Sequence, residues 1–204
     1  MVITDIADLE KLAHKRLPHI ISTYVENGGY EEETLHRNRA DFANYAFVPR
    51  VLNDISERSL AVDMAGTHAA MPIGLAPVGA CGLTYPNGEV EAALAAKEAG
   101  VPFCLSTLSI STIEDVAKAT RAPFWFQLYL MKEKRVGEAL VGRAKKAGCS
   151  TLVLSMDLHV RSQRHGEQKR GLIAPPRIDV RNIFDLLSHP RWLLAMAGSK
   201  RRSF

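Results

Sequence analysis

The chain has 204 residues, is 47% hydrophobic, and carries 26 Lys and Arg against 22 Asp and Glu, for a formal net charge of +4. That size and apolar content support a buried core and exclude a disordered chain, while three isolated cysteines (Cys81, Cys104, Cys149) exclude a disulfide scaffold and fit a reduced intracellular setting. Met1-Val2-Ile3-Thr4-Asp5 lacks the basic start of a signal peptide, and no apolar run approaches the ~18–20 residues of a membrane span, so a soluble or at most membrane-attached protein is expected.

Thr4 before Asp5-Ile6-Ala7-Asp8-Leu9 reads as the cap of a first helix punctuated by Pro18. A second helix is expected to stop at Gly28-Gly29, and a third, polar one to lie around residues 31–44. Residues 46–70 read as irregular or as short strands that include Leu60-Ala61-Val62. Residues 1–71 thus form a helical extension. From Pro72 the pattern becomes regular. Strand one is expected over Ile73–Ala76, its loop over Pro77–Asn87 and its helix over Gly88–Ala99. Strand two is Pro102–Leu105, followed by Ser106–Ser111 and a helix near Thr112–Ala119. Strand three is Phe124–Leu128, with a helix near Glu133–Ala147, and strand four is Ser150–Ser155. Beyond Leu158 the chain turns rich in Arg, Gly and Pro, with short helices expected over Val180–Leu187 and Arg191–Ala197.

Parallel strands buried on both faces read as continuous apolar runs. Here the runs end in polar groups: Phe124-Trp125-Phe126-Gln127-Leu128-Tyr129 and Thr151-Leu152-Val153-Leu154-Ser155-Met156-Asp157. Barrel enzymes gather their chemistry at that carboxyl end. Four βα units in residues 72–157 therefore read as the first half of a TIM (β/α)8 barrel. The rival, a small doubly wound α/β domain, would show a Gly-rich phosphate loop after strand one, and Pro77-Val78-Gly79-Ala80-Cys81-Gly82 is neither G-x-G-x-x-G nor a P-loop.

At those strand ends Gln127 offers a donor and an acceptor suited to a planar heterocycle, or is a buried amide serving backbone. Ser106 and Ser155 could meet the same ligand, or be loop hydroxyls. Tyr129 shares a strand face with Gln127. Asp157 could orient a catalytic histidine, or pair with Arg161 or Arg164. Arg164 suits a bidentate grip on a carboxylate or phosphate. Seven scattered histidines show no metal spacing, so no metal site is expected. Residues 158–204 carry 10 basic against 3 acidic residues, net +7, while residues 1–157 carry 16 against 19, net −3. The basic segment suits an anionic membrane surface or a solubilising loop; nucleic acid has only net charge in its favour and is discounted.

Tyr24-x-x-x-Gly28, Pro72-Ile73-Gly74-Leu75-Ala76-Pro77, Leu105-Ser106-Thr107, Phe126-Gln127-Leu128-Tyr129, Ser155-Met156-Asp157 and Arg164, in that order, resemble the FMN-dependent α-hydroxy-acid dehydrogenase/oxidase family, which includes glycolate oxidase and the L-lactate and mandelate dehydrogenases. The resemblance implies a barrel holding FMN, with Pro77, Val78 and Gly79 against the flavin ring and Ser106, Gln127 and Ser155 bonded to it. It implies Tyr24 and Arg164 as substrate-carboxylate ligands, Tyr129 near the reacting oxygen and Asp157 as partner of a catalytic histidine. The implied reaction takes an L-2-hydroxy acid to a 2-keto acid, with quinone or oxygen as electron acceptor. Gly79, where oxidases commonly have Ala, and Leu108, where glycolate oxidase has a bulky aromatic, resemble the dehydrogenase branch. The same resemblance implies a homo-oligomer for the full-length enzyme, and a cytoplasmic protein that attaches peripherally to the inner membrane face. The family's later motifs, including its base, have no counterpart in this sequence. The chain alone is therefore expected to be inactive and to bind FMN weakly or not at all. The alternatives are another FMN barrel, or a non-catalytic half-barrel that pairs with another chain.

Overall fold

The structure, a computed structural model, describes residues 2–157, 160, 162–171 and 179–199. It comprises two compact units, Met1–Asp54 with Val160–Gly198, and Ile55–His159.

The first unit is helical. Helix α1 (Ile6–Arg16) is capped by Asp5, whose carboxylate accepts the Asp8 N–H at 2.9 Å. Thr4 stands one place outside the cap and donates its N–H and hydroxyl to Asp8 at 3.1 and 2.9 Å. The expected Thr4 cap is thus displaced by one residue. Pro18 ends that segment, and α2 (His19–Glu26) buries Ile20, Ile21, Ser22 and Thr23 before ending at Asn27, just short of Gly28-Gly29. The polar helix α3 (Glu33–Ala40) buries nothing and runs into a 3₁₀ turn, Asp41–Asn44. A short helix α7 (His165–Lys169) lies where no helix was expected. Helices α8 (Val180–Ser188, capped by Asp179) and α9 (Pro190–Ala197) fall within a residue of expectation. Within the basic segment 158–204, Arg161, Lys200, Arg201 and Arg202 lie outside the described residues.

The second unit opens with an antiparallel hairpin, β1 (Val62–Met64) and β2 (Thr67–Ala69), rather than a strand at Leu60. Its two turn residues, Ala65 and Gly66, both have positive φ (46° and 78°), as a tight hairpin turn requires. A parallel sheet follows, in the order β3 (Cys104–Leu105), β4 (Trp125–Tyr129), β5 (Thr151–Ser155). Helices α4 (Gly88–Ala99), α5 (Ile113–Thr120) and α6 (Lys134–Lys146) alternate with these strands. The expected strand over Ile73–Ala76 reduces to one parallel bridge, Leu75 to Phe103. Leu75 donates to Pro102 O at 2.8 Å and accepts from Cys104 N at 3.0 Å. It pairs on one side only, with Ile73 56% and Leu75 39% exposed, which leaves little to extend the ladder.

The core lies between sheet and helices. Leu105, Phe126 and Leu128 pack there with Ala93, Ile113, Val116 and Ala144, all under a tenth exposed. Trp125, Gln127 and Tyr129 occupy the opposite face of β4, because side chains alternate. The Trp125 indole N–H donates to Thr67 Oγ1 at 2.9 Å and Thr151 Oγ1 to Ala65 O at 3.2 Å. Both donors are first residues of their strands, so the β1–β2 hairpin covers the amino end of the sheet. The carboxyl end is left to the βα loops. The barrel is not closed in this structure; its strands make an open arc.

Candidate functional site

Three neighbouring strands end in a row of polar side chains joined by hydrogen bonds. Parallel register sets Gln127 of β4 two pairs before Tyr129, which lies opposite Ser155 at the end of β5. Ser106 follows β3 directly. Gln127, only 1% exposed, donates from Nε2 to Ser155 Oγ at 2.9 Å. Its Oε1 accepts the Thr107 N–H at 3.1 Å and, more weakly, the Ser106 hydroxyl at 3.4 Å. Ser106 Oγ in turn accepts the Leu108 N–H at 3.1 Å.

Thr107 is the residue that sequence reading passed over. Its hydroxyl donates to Gln127 O at 2.5 Å and accepts the Tyr129 N–H at 3.2 Å, tying the loop after β3 to the end of β4. The hydroxyl pair Ser106-Thr107 directly after an apolar run was the available signal. Tyr129 is half-buried, and Asp157 and Met156 are exposed beyond β5. Pro77 and Val78 are exposed, Gly79 is half-buried, and a cleft of about 210 Å³ is lined by Leu75, Ala76, Val78, Glu89, Phe103 and Ser106. Apart from Asp157, the row is neutral. Burial pushes the nearby Cys104 thiol up to about 11, which keeps it protonated at neutral pH.

Tyr24 and Arg164 come together in the helical unit. The Arg164 guanidinium lies 5.5 Å from the Tyr24 ring centroid and donates to Tyr24 O at 2.9 Å and to Asn27 O. Its carboxylate partner is Glu167, at 2.5 Å, rather than Asp157. That i,i+3 pair across α7 was not read from sequence. Stacked and forked at once, Arg164 is a fixed cation of the kind that suits a planar anion.

An open parallel βα arc with hydrogen-bonding groups at its carboxyl end defines a barrel-type ligand site, and the sequence comparison gives its class. The chain belongs to the FMN-dependent dehydrogenase family, matched over residues 13–203. Among relatives, the L-lactate dehydrogenases of Haemophilus influenzae (strain PittEE) and Ectopseudomonas mendocina are 42% and 41% identical over 192 residues, which is 94% of this chain and 50% of each relative. The chain thus spans about half the length of the curated relatives it matches. Among solved structures, the monotopic membrane protein (S)-mandelate dehydrogenase superposes with a TM-score of 0.92 at 33% identity, covering 98% of this chain and 54% of that one. A soluble mutant of the membrane-associated (S)-mandelate dehydrogenase from Pseudomonas putida gives a TM-score of 0.81 at 35% identity, covering 89% and 52%.

Proposed function

We propose that residues 72–157 form the first half of an FMN-holding barrel that oxidises an L-lactate-like 2-hydroxy acid to its 2-keto acid. Residues 1–71 are its helical extension, and residues 158–204 the basic segment that follows strand four in the chain. The observation that carries this reading is the row Ser106–Gln127–Ser155. An amide flanked by two hydroxyls, at the ends of three adjacent strands, offers the alternating donors and acceptors that a ring with carbonyl and N–H edges needs. The donor set therefore fits a flavin. Backbone at Pro77, Val78 and Gly79 would lie against the ring.

Bound FMN would supply the two-electron acceptor. The chain's own groups bind and orient. Tyr24 and Arg164 would grip the substrate carboxylate, and for this Arg164 already has its guanidinium stacked and aligned. Tyr129 would bond the reacting oxygen, with its backbone fixed by Thr107. Asp157 would hold a histidine base in its tautomer and stabilise it when protonated. Leu108 and Gly79 favour the dehydrogenase branch, with a quinone as acceptor. The relatives extend well beyond the matched stretch, and turnover is proposed to need what they carry there, including the base.

The relatives also favour a surface role. No helix among the described residues is long and apolar enough to cross a membrane. Helices α8 and α9 expose Val180, Ile183, Phe184, Leu187 and Leu194 beside Arg181 and Arg191, a combination suited to the interface of an anionic bilayer on the cytoplasmic side. Co-sedimentation with vesicles should rise with anionic lipid and fall with salt.

Titration of the 204-residue chain with FMN, followed by flavin fluorescence and by its visible band with L-lactate, tests the main reading. Expected is quenching with a Kd weaker than about 10 μM, since only part of the contact set is present, and no bleaching by lactate. Absence of any quenching overturns the cofactor site. Bleaching by the chain alone overturns the need for a further half.

A further inference from the structure

Glu89 is a buried carboxylate that the flavin reading leaves unused. It is 2% exposed and stands second in helix α4. Its Oε1 accepts the Gly82 N–H and the Ile110 N–H, each at 2.9 Å, and its Oε2 accepts the Ser111 hydroxyl at 2.9 Å. All three donors are neutral, and none belongs to α4. This separates Glu89 from an ordinary helix cap, which would take its own helix's N–H groups. Burying a carboxylate strips it of water, which is offset here by three hydrogen bonds and the positive end of α4. An apolar side chain would fill the space without that cost, so the charge is explained by what it joins.

It joins two loops. Gly82 lies in the loop after the Leu75 bridge, and Ile110 and Ser111 lie in the loop after β3. The loops are in contact: a Cβ on Gly82 would come 2.7 Å from Ile110 Cβ and 3.1 Å from Glu89 Oε2, so only glycine fits. A second tie runs from Ala80 N to Leu108 O at 2.8 Å. Leu108 N–H bonds Ser106 Oγ, and Ala80 directly follows Pro77-Val78-Gly79. We propose that Glu89 is a positioning residue: it clamps the loop carrying Pro77–Gly79 to the loop carrying Ser106, and so fixes the two groups that meet the flavin from adjacent strands. This rests on the flavin reading above.

The test compares the unsubstituted 204-residue chain with Glu89→Ala, Glu89→Gln and Ser111→Ala, reading amide hydrogen exchange by NMR and FMN affinity by fluorescence. Glu89→Ala should speed exchange at Gly82 and Ile110 by at least about tenfold and weaken FMN by a similar factor, with Val116 and Phe126 unchanged. Glu89→Gln keeps an oxygen for both amides and should stay within about threefold of the unsubstituted chain in both readouts. If Glu89→Ala also frees Val116 and Phe126, Ser111→Ala decides, with an expected shift of about threefold in both readouts. Unchanged exchange at Gly82 and Ile110 overturns the clamp. Faster exchange with unchanged FMN affinity overturns its positioning role while leaving the flavin site standing. If the unsubstituted chain quenches no FMN, the flavin reading falls and the role toward it with it, and the exchange pattern identifies which of the two failed.

Discussion

Gln127 concentrates the polar demand of the strand ends in one side chain. Its amide meets Ser155 at 2.9 Å and the Thr107 N–H at 3.1 Å, and its carbonyl meets the Thr107 hydroxyl, all at 1% exposure. Removing a buried partner costs more than a hydrogen bond is worth, because the groups left behind lose water as well. Gln127→Leu keeps the volume but strands the Thr107 N–H and the Ser155 hydroxyl. It should cost about 2–3 kcal/mol in urea unfolding, beyond any loss of FMN. Thr107→Val removes only the hydroxyl between Gln127 O and Tyr129 N, and should cost about 1 kcal/mol. Equal unfolding midpoints for Gln127→Leu and the unsubstituted chain would mean that the row is held for ligand alone and contributes nothing to the fold.

Among the elements, α5 and α6 are joined by one well-formed ion pair. Arg143 Nε and Nη2 grip the two Glu114 oxygens at 2.8 and 2.7 Å. That grip holds the Glu114 carboxyl well below its usual range, at about 2. A folded pKa depressed from 4.5 means stability present above the unfolded value and lost as pH falls from about 4.5 toward about 2. Both side chains are about half exposed, so solvent screening limits the pair to about 0.5–1 kcal/mol. Glu114→Gln should therefore lower stability by that amount at pH 7 and by nothing measurable at pH 2, as paired urea titrations would read. A penalty that persists at pH 2 would mean packing, not charge, joins the helices. Such contacts explain what sequence could reveal at this scale. Strands two to four were legible because apolar runs buried on both faces end in polar groups, and α5 lies within a residue of expectation, where the structure adds a capping box of Thr112 and Asp115. The strand around Leu75 was overread, since its composition could not show that it pairs on one side only. Thr4 and Asp5 are both good caps, and periodicity does not choose between neighbours. The row of Ser106, Gln127 and Ser155 was readable because each stands at the end of an apolar strand. The partners of Thr107 and Glu89 were not, because Gln127 on β4 and Ile110 and Ser111 in the loop after β3 lie 20 or so residues away and only the fold brings them near.

At the scale of the whole molecule, the arc of strands has two ends, and neither is paired further among the described residues. On one side Leu75 pairs only inward. On the other, β5 pairs with β4 alone, and Leu152 and Leu154, whose register partners Phe126 and Leu128 are core residues, are 46% and 45% exposed. Register partners in a parallel sheet share a face, so these leucines point to the side where α5 and α6 cover the neighbouring strands. An exposed strand edge with apolar side chains is a template for pairing with another chain, and natural edges commonly carry lysine or proline to prevent it. With that edge exposed among the described residues, the 204-residue chain is expected to pair with itself. Light scattering across a concentration series should show a mass that rises above the monomer. Leu154→Lys, which places a charge on the β5 edge without touching the Gln127–Ser155 bond on the opposite face, should return it to the monomer while leaving FMN affinity within about twofold. A mass that stays monomeric at every concentration would show that the edge is already protected. A mass that still rises in Leu154→Lys would move the contact elsewhere, with the apolar faces of α8 and α9 next to be charged.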